Sequence, residues 1–401
     1  MSKVKYPCGG RQMRMQACPL GSLPAGIKER IFILVSCLEL SIGLLQMCQN
    51  EIPFRRFILW GFLGIYAAVL VTNHYTGKEK ILLGASLVMG LLLYLSTGIN
   101  TGIKAPVYLF AMKEIPVRKL LKWMTISLMA SMACIVAASL LFDFGNLYIS
   151  DYRKKGAFHG IRYSLGFASS NVLQFLTFIL MCFCFYLYGE KMKFWQYLLV
   201  GAEYLLVFVL TYSRTGFLTG LFIWCLAVAI RFGKGKSWNW ILFGLSVVFV
   251  TSFLIISLLA AMEVHGRVIE FINEIISRRM NQLKYHTSDK QYALPYIDSW
   301  RLFSSRINKN GYDMGYIQIF YYYGIIPGIC YLGFLFYAGY RAMRRNNVFG
   351  LLALLGFSIY LFMESLFFSN YLTRDFLLMI SAIIVWEAYH DTEGERVSAA
   401  V

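Results

Sequence analysis

Charge is scarce in this chain. Asp, Glu, Lys and Arg together supply 15% of its 401 residues, while 58% are hydrophobic. A water-soluble globule cannot hide that much apolar side chain, so soluble enzymes and soluble binding modules are excluded. Acid is scarcer than base, with 21 Asp and Glu against 38 Lys and Arg, a formal net charge of +17. In a membrane chain such an excess points to basic cytoplasmic loops, not to a nucleic-acid partner. The nine cysteines are scattered, mostly in apolar runs, and Cys182 and Cys184 fall on different faces of one helix, which gives neither a disulfide framework nor zinc spacing. Patterns of the H-E-x-x-H, G-x-S-x-G and Walker kinds are missing, so zinc proteases, serine hydrolases and P-loop ATPases of those kinds are unsupported. Residues 1–28 lack the short apolar core and small-residue cleavage site of a signal peptide and read as a basic cytoplasmic tail. Fixed-period repeats and low-complexity segments are also missing.

What is present is a series of continuous apolar runs, which argues for helices and against a membrane β-barrel. The runs cover residues 31–48, 57–72, 81–97, 100–112, 121–142, 172–188, 194–211, 216–230, 238–260, 316–340, 349–368 and 376–389. The expected fold is an all-α polytopic membrane protein with about twelve transmembrane helices, the fourth short and interrupted by Pro106. With the N-terminus inside, the inner segments collect Lys78, Lys80, Lys113, Arg118, Lys119, Lys122, Lys191, Lys193, Arg231, Lys234, Lys236, Arg341, Arg344 and Arg345. The short outer turns then hold only Arg55, Arg56, Lys104, Arg214 and Arg374. Both termini come out cytoplasmic. The chain divides into the tail 1–28, a bundle 29–260 with an outer loop 143–169, a large extracytoplasmic loop 261–312, a second bundle 313–390 and a cytoplasmic tail 391–401.

The large loop is the longest polar interruption and carries Arg267, Arg278, Arg279, Arg301 and Arg306. Its first part predicts an amphipathic helix over 264–283, with Val268, Ile272, Ile275, Ile276 and Leu283 on one stripe. Arg267, Glu270, Glu274 and Arg278 share the opposite face, and Phe271 is an exception on that polar side. Arg279 falls in the apolar stripe, where a guanidinium needs a partner, a polar cavity or a route to lipid headgroups. Arg214 stands between two spans with almost no loop, close to the membrane surface. Arg162 ends the other long loop, and Asn171 follows near a helix start, where it suits a cap. All three arginines fall on the outer face. A planar guanidinium fork matches two oxygens of a phosphate at once and keeps its charge near lipid, so the set fits a diphosphate. Asp313 precedes a span and suits either a helix cap or an outward acid, as Asp298 suits the latter; His159, His265 and His286 are outward loop histidines. No cluster suggests a metal, and no cofactor is expected.

Four segments carry a resemblance. Residues 162–171 (RYSLGFASSN) resemble the R-S-L-G-F-x-x-x-N segment of Wzy-type polysaccharide repeat-unit polymerases. Residues 211–220 (TYSRTGFLTG) resemble that family's S-R-(T/G)-G junction between two spans. Residues 276–280 (ISRRM) resemble its L-S-G-R-L loop segment, aligning Arg279 with the family arginine. Residues 312–328 (YDMGYIQIFYYYGIIPG) resemble the D-N-G-Y…Y-G-I-I approach to the next span. The likeness runs over about residues 91–334. It departs at Arg278, where the family has glycine, and at Met314, where it has asparagine. O-antigen ligases of the same superfamily usually carry a histidine near the place of Asp313, so the acid here favours polymerase over ligase.

The resemblance implies a GT-C-like architecture and an activity. Such enzymes polymerise oligosaccharide repeat units carried on undecaprenyl diphosphate, at the outer face of the cytoplasmic membrane. It implies Arg162, Arg214 and Arg279 as the diphosphate ligands, with Arg279 and Arg214 stabilising the leaving group in a metal-independent transfer. Asp313 is the first choice to take the acceptor proton, ahead of His286. Asn171, Tyr316 and Arg301 are further substrate-binding candidates. The implied partners are the lipid-linked oligosaccharide, the bilayer, and flippase and chain-length regulator proteins. A transporter or flippase with Arg214 lining a pathway is the reading from another class, to which the Pro106 break is suited.

Overall fold

The computed structural model describes residues 24–48, 54–98, 100–151, 160–233, 238–264, 266–275, 279–282, 293–308, 313–367 and 371–399. The first half builds α1 (Ala25–Gln46), α2 (Arg55–Thr72), α3 (Gly77–Thr97), α4 (Thr101–Ala111) and α5 (Val117–Phe142). A short antiparallel ribbon, β1 (Tyr148–Asp151) and β2 (Gly160–Tyr163), follows. Then come α6 (Ser170–Tyr188), α7 (Phe194–Thr211), α8 (Arg214–Phe232) and α9 (Trp238–Ala261). The large loop holds α10 (Arg267–Ile275) and α11 (Arg279–Gln282). The chain closes with α12 (Gly315–Gln318), a π-turn at Ile319–Tyr323, α13 (Ile325–Arg344), α14 (Val348–Met363) and α15 (Phe376–Ala399).

Among the described residues, seven helical segments are long and apolar enough to cross a membrane: Gly77–Thr97, Val117–Phe142, Ser170–Lys191, Phe194–Thr211, Arg214–Phe232, Trp238–Ala261 and Ile325–Arg344. Phe57–Thr72, Val348–Met363 and Phe376–Tyr389 are shorter apolar helices. The chain is an α-helical, multi-pass membrane protein. Its outward sides show Val71, Leu199, Leu206 and Val248, all more than half exposed, which acyl chains cover in a bilayer. The centre is made by α6 and α14; every residue of α14 from Phe349 to Phe362 is buried. Phe178 stacks on Tyr360 at 5.0 Å and Phe253 on Phe362 at 4.2 Å, so aromatic faces join α6, α9 and α14.

Local chemistry sets the ends. Thr76 and Glu79 form a reciprocal capping box at the start of α3, and Asn347 accepts the Gly350 amide at 2.8 Å at the start of α14. One end of the bundle collects paired charge. Lys28 bonds Glu114, Lys113 lies 2.7 Å from Glu79, and Arg118 bonds Glu387. At the opposite end the chain leaves α1 and meets the start of α6, where the Ala168 amide donates to the Met47 carbonyl at 2.7 Å.

Four expectations need correction. Lys104, assigned to an outer turn, lies inside α4 and is 2% exposed, and Pro106 stays within the same helix. Loop 143–169 is not plain loop, because Tyr148–Asp151 finds a strand partner in Gly160–Tyr163. The expected amphipathic helix 264–283 begins only at Arg267, since Val264 and Gly266 are not helical; its described helical residues are those of α10 and α11, where Ile269 and Ile272 pack on the core while Val268 is 71% exposed. The run 349–368 stops being helical at Met363, so Glu364 sits beyond the helix.

Candidate functional site

The site begins at a turn. After β2 the chain adopts left-handed backbone at Leu165 and Gly166, with φ of 46° and 93°. A Cβ on Gly166 would lie 2.9 Å from the Ile135 side chain, so glycine is required both for the angle and for the close approach. The turn buries Phe167 completely and brings Asn171, in the first turn of α6, back to Arg162. Arg162 Nη2 donates to Asn171 Oδ1 at 3.0 Å.

A second turn supplies the next contact. Tyr212 follows α7 with φ of 48°, and Ser213 immediately precedes α8. The last carbonyl of α7 has no intrahelical partner, and Arg162 Nε donates to that Thr211 oxygen at 2.9 Å. A cation at a helix C-terminus is also favoured by the helix dipole. Arg214, the first residue of α8, is exposed and has no hydrogen bond or ion pair among the described residues. It adds positive charge to a helix N-terminus, where the dipole favours an anion instead. Behind it, a Cβ on Gly216 would lie 2.9 Å from Gln174 Cγ, 3.0 Å from the Tyr360 hydroxyl and 3.1 Å from Ser213 Oγ, so the glycine of this junction fills no space that a methyl could occupy.

The large loop brings the third arginine. The Met280 amide donates to Asn273 Oδ1 at 3.1 Å, which ties α11 to α10. Arg279 at the start of α11 is 7% exposed. Its Nη2 donates to Glu364 Oε1 at 2.5 Å, and its Nη1 lies 3.0 Å from Asp313 Oδ2. The Asp313 contact is an ion pair without a well-directed hydrogen bond, since Nη1 and Nε are buried and make none among the described residues. Glu364 Oε1 also accepts from Asn171 Nδ2 at 3.2 Å. One carboxylate therefore joins both sides: Arg162 to Asn171 to Glu364 to Arg279 to Asp313. Burial raises the Glu364 carboxyl above the ordinary glutamate value, and the Arg279 charge pulls it the other way.

The expected residues divide into three groups. Arg162, Asn171, Arg279 and Asp313 belong to one connected cluster, and Arg214 stands exposed at the turn three residues after Thr211, which the cluster touches. Asn171 does not cap α6, and Asp313 does not cap α12, whose N-cap is Met314; both side chains serve the cluster instead. Tyr316 and Arg301 do not join it. Tyr316 is fully buried and donates to the Ser358 carbonyl at 3.2 Å, a packing role set by its place under α14. Arg301 is exposed, and it is its backbone carbonyl that is engaged, accepting from the Ile325 amide at 2.9 Å. Arg278, His159, His265 and His286 lie outside the described residues. Among the described residues no group of three or more His, Cys, Asp or Glu could hold a metal ion.

Glu364 escaped the sequence reading. Its signal is a single acid in a long apolar run, which in a membrane chain marks a paired or functional group. Glu39 gives the same signal. It is 2% exposed in α1, accepts the Tyr66 hydroxyl at 2.8 Å and the Leu372 amide at 2.9 Å, and shares that region with buried Lys104. No protein-family model, curated protein or solved structure matches this chain.

Proposed function

We propose that this chain polymerises oligosaccharide repeat units carried on undecaprenyl diphosphate, as the Wzy-type polymerases it resembles do. The observation that carries the reading is the link of Arg162 and Arg279, from two separate loops, through Asn171 and Glu364 at one end of the bundle. The opposite end holds Lys28, Lys113, Arg118 and Lys119, so the positive-inside bias turns the arginine end outward. The proposal includes about twelve spans in a GT-C-like bundle, cytoplasmic termini, and residence in the cytoplasmic membrane.

In the proposed reaction an acceptor sugar hydroxyl attacks the anomeric carbon of the donor. The new carbon–oxygen bond forms as the bond to the diphosphate breaks, and its electron pair leaves with that diphosphate. The hydroxyl proton passes to Asp313. Arg279 and Arg214 stabilise the charge on the departing oxygen and Arg162 positions the second phosphate, with no metal required. Flippase and chain-length regulator proteins are the partners this reading expects. O-antigen ligase-type transfer uses the same donor and differs in its acceptor.

The test is direct. Purified protein is incubated with lipid-linked repeat units, and products are resolved by size. Glycans longer than one unit on the lipid support polymerisation; units left single defeat it. Transport is the second reading, favoured by the buried Glu39 and Lys104 in the helical bundle. It predicts units moved across vesicles without elongation.

A further inference from the structure

Arg279 has two carboxylate neighbours, and they are held very differently. The Glu364 side chain is 6% exposed, hydrogen-bonds Nη2, and also accepts from Asn171. The Asp313 side chain is 44% exposed and sits 3.0 Å from Nη1 without a directed hydrogen bond. The start of α12 does not hold Asp313, because Met314 is the N-cap. Arg279 keeps two buried N–H groups, on Nη1 and Nε, that no described acceptor engages.

We infer that Asp313 is the exchangeable counter-ion of Arg279, that the donor diphosphate takes its place, and that Glu364 is the permanent one. This deepens the proposed function and rests on it. The asymmetry has a physical cause. Displacing Glu364 would strand a buried carboxylate and break its bond from Asn171, a strongly unfavourable change. Displacing Asp313 moves a half-exposed carboxylate into water and breaks a weak pair. Guanidinium N–H groups left without acceptors suit phosphate oxygens, which are charged and multiply accepting.

A consequence for the reaction follows. In the empty site Asp313 is engaged with Arg279. Once the diphosphate holds Arg279, the Asp313 carboxylate is released beside the donor, where it accepts the proton of the attacking hydroxyl. Donor binding thus frees the base, and the acceptor reacts only after the donor is seated.

Pyrophosphate binding to the purified full chain in detergent, followed by calorimetry, tests this. D313N removes the competing charge and is expected to bind pyrophosphate about fivefold tighter than the unaltered chain. Equal or weaker binding by folded D313N overturns the inference. D313A, measured in the same way, decides the matter if D313N melts early. R279A is expected to weaken binding at least about tenfold; binding unchanged in R279A would instead defeat the anion site itself, and with it the proposed function. Phosphatidylglycerol, a single-phosphate lipid, is expected not to displace pyrophosphate. Displacement would assign Arg279 to a lipid headgroup and overturn the inference.

Discussion

Arg279 Nη2 and Glu364 Oε1 are 2.5 Å apart, although 85 residues separate them in the chain. Neither side chain is more than 7% exposed. A guanidinium in such a place needs its carboxylate. Replacing Glu364 by alanine should cost about 3 kcal/mol of stability, since the buried Arg279 is left with only the half-exposed Asp313. E364Q keeps the acceptor for Asn171 but removes the charge, so its loss should be smaller. Melting temperatures of the two variants in one detergent check the order, and an E364A chain as stable as E364Q would contradict it.

Arg162 uses two different nitrogens, Nε on the Thr211 carbonyl and Nη2 on Asn171. A lysine has one ammonium group and cannot reproduce that fork. R162K should therefore lose polymer nearly as fully as R162A while membrane levels stay unchanged. Polymer ladders and immunoblots from the same cells make the comparison, and normal polymer from R162K would refute the positioning role.

Arg214 is exposed and forms no ion pair among the described residues, so R214A should leave stability within about 0.5 kcal/mol. If it serves the leaving group, turnover should still fall by about a hundredfold or more. R301A and Y316F provide the contrast. Arg301 lies apart from the cluster, and Tyr316 loses only its bond to Ser358, worth about 1 kcal/mol. Both should polymerise normally. In vitro turnover with lipid-linked units distinguishes the three variants.

Acid should loosen the other end of the bundle. Burial alone would raise the Glu114 carboxyl, yet the His74 amide and the Lys28 ammonium together hold it below the ordinary value of 4.5. A carboxyl depressed by folding stabilises the folded state above its unfolded value, and that contribution disappears as pH falls through the lower, folded value. The unaltered chain should therefore be more stable than E114Q at neutral pH, and the gap should close below about pH 4.5. Melting curves across that range report it; a gap that widens on acidification would reverse the assigned sign.

Much of the architecture was legible in hydropathy, because a lipid-facing helix announces itself by continuous apolar residues. Arg279 was legible for the opposite reason, as a cation interrupting an apolar stripe. Its partners were not. Glu364 and Asp313 reach it by chain folding across long separations, and no local pattern encodes such a pairing. The spacing of Asn171 suits a cap and its motif suits a substrate ligand, and neither shows that the left-handed turn at Leu165 and Gly166 brings it to Arg162. The motif of Tyr316 does not show its burial, which follows from the packing of α12 against α14 and its bond to the Ser358 carbonyl. The ribbon of 148–163 was missed because strands this short carry little periodic signal.

The placement of Glu364 just past α14 also matters for biogenesis. A chain emerging from the ribosome exposes β2, α6 and the large loop well before it delivers that acid. Until residue 364 is synthesised and α14 has joined the bundle, Arg279 lacks its buried counter-ion and has only the half-exposed Asp313. A nascent product that stalls or ends short of α14 would carry a guanidinium paired only with the half-exposed Asp313 in a greasy setting, a mark by which quality-control proteases can sort unfinished copies from finished ones.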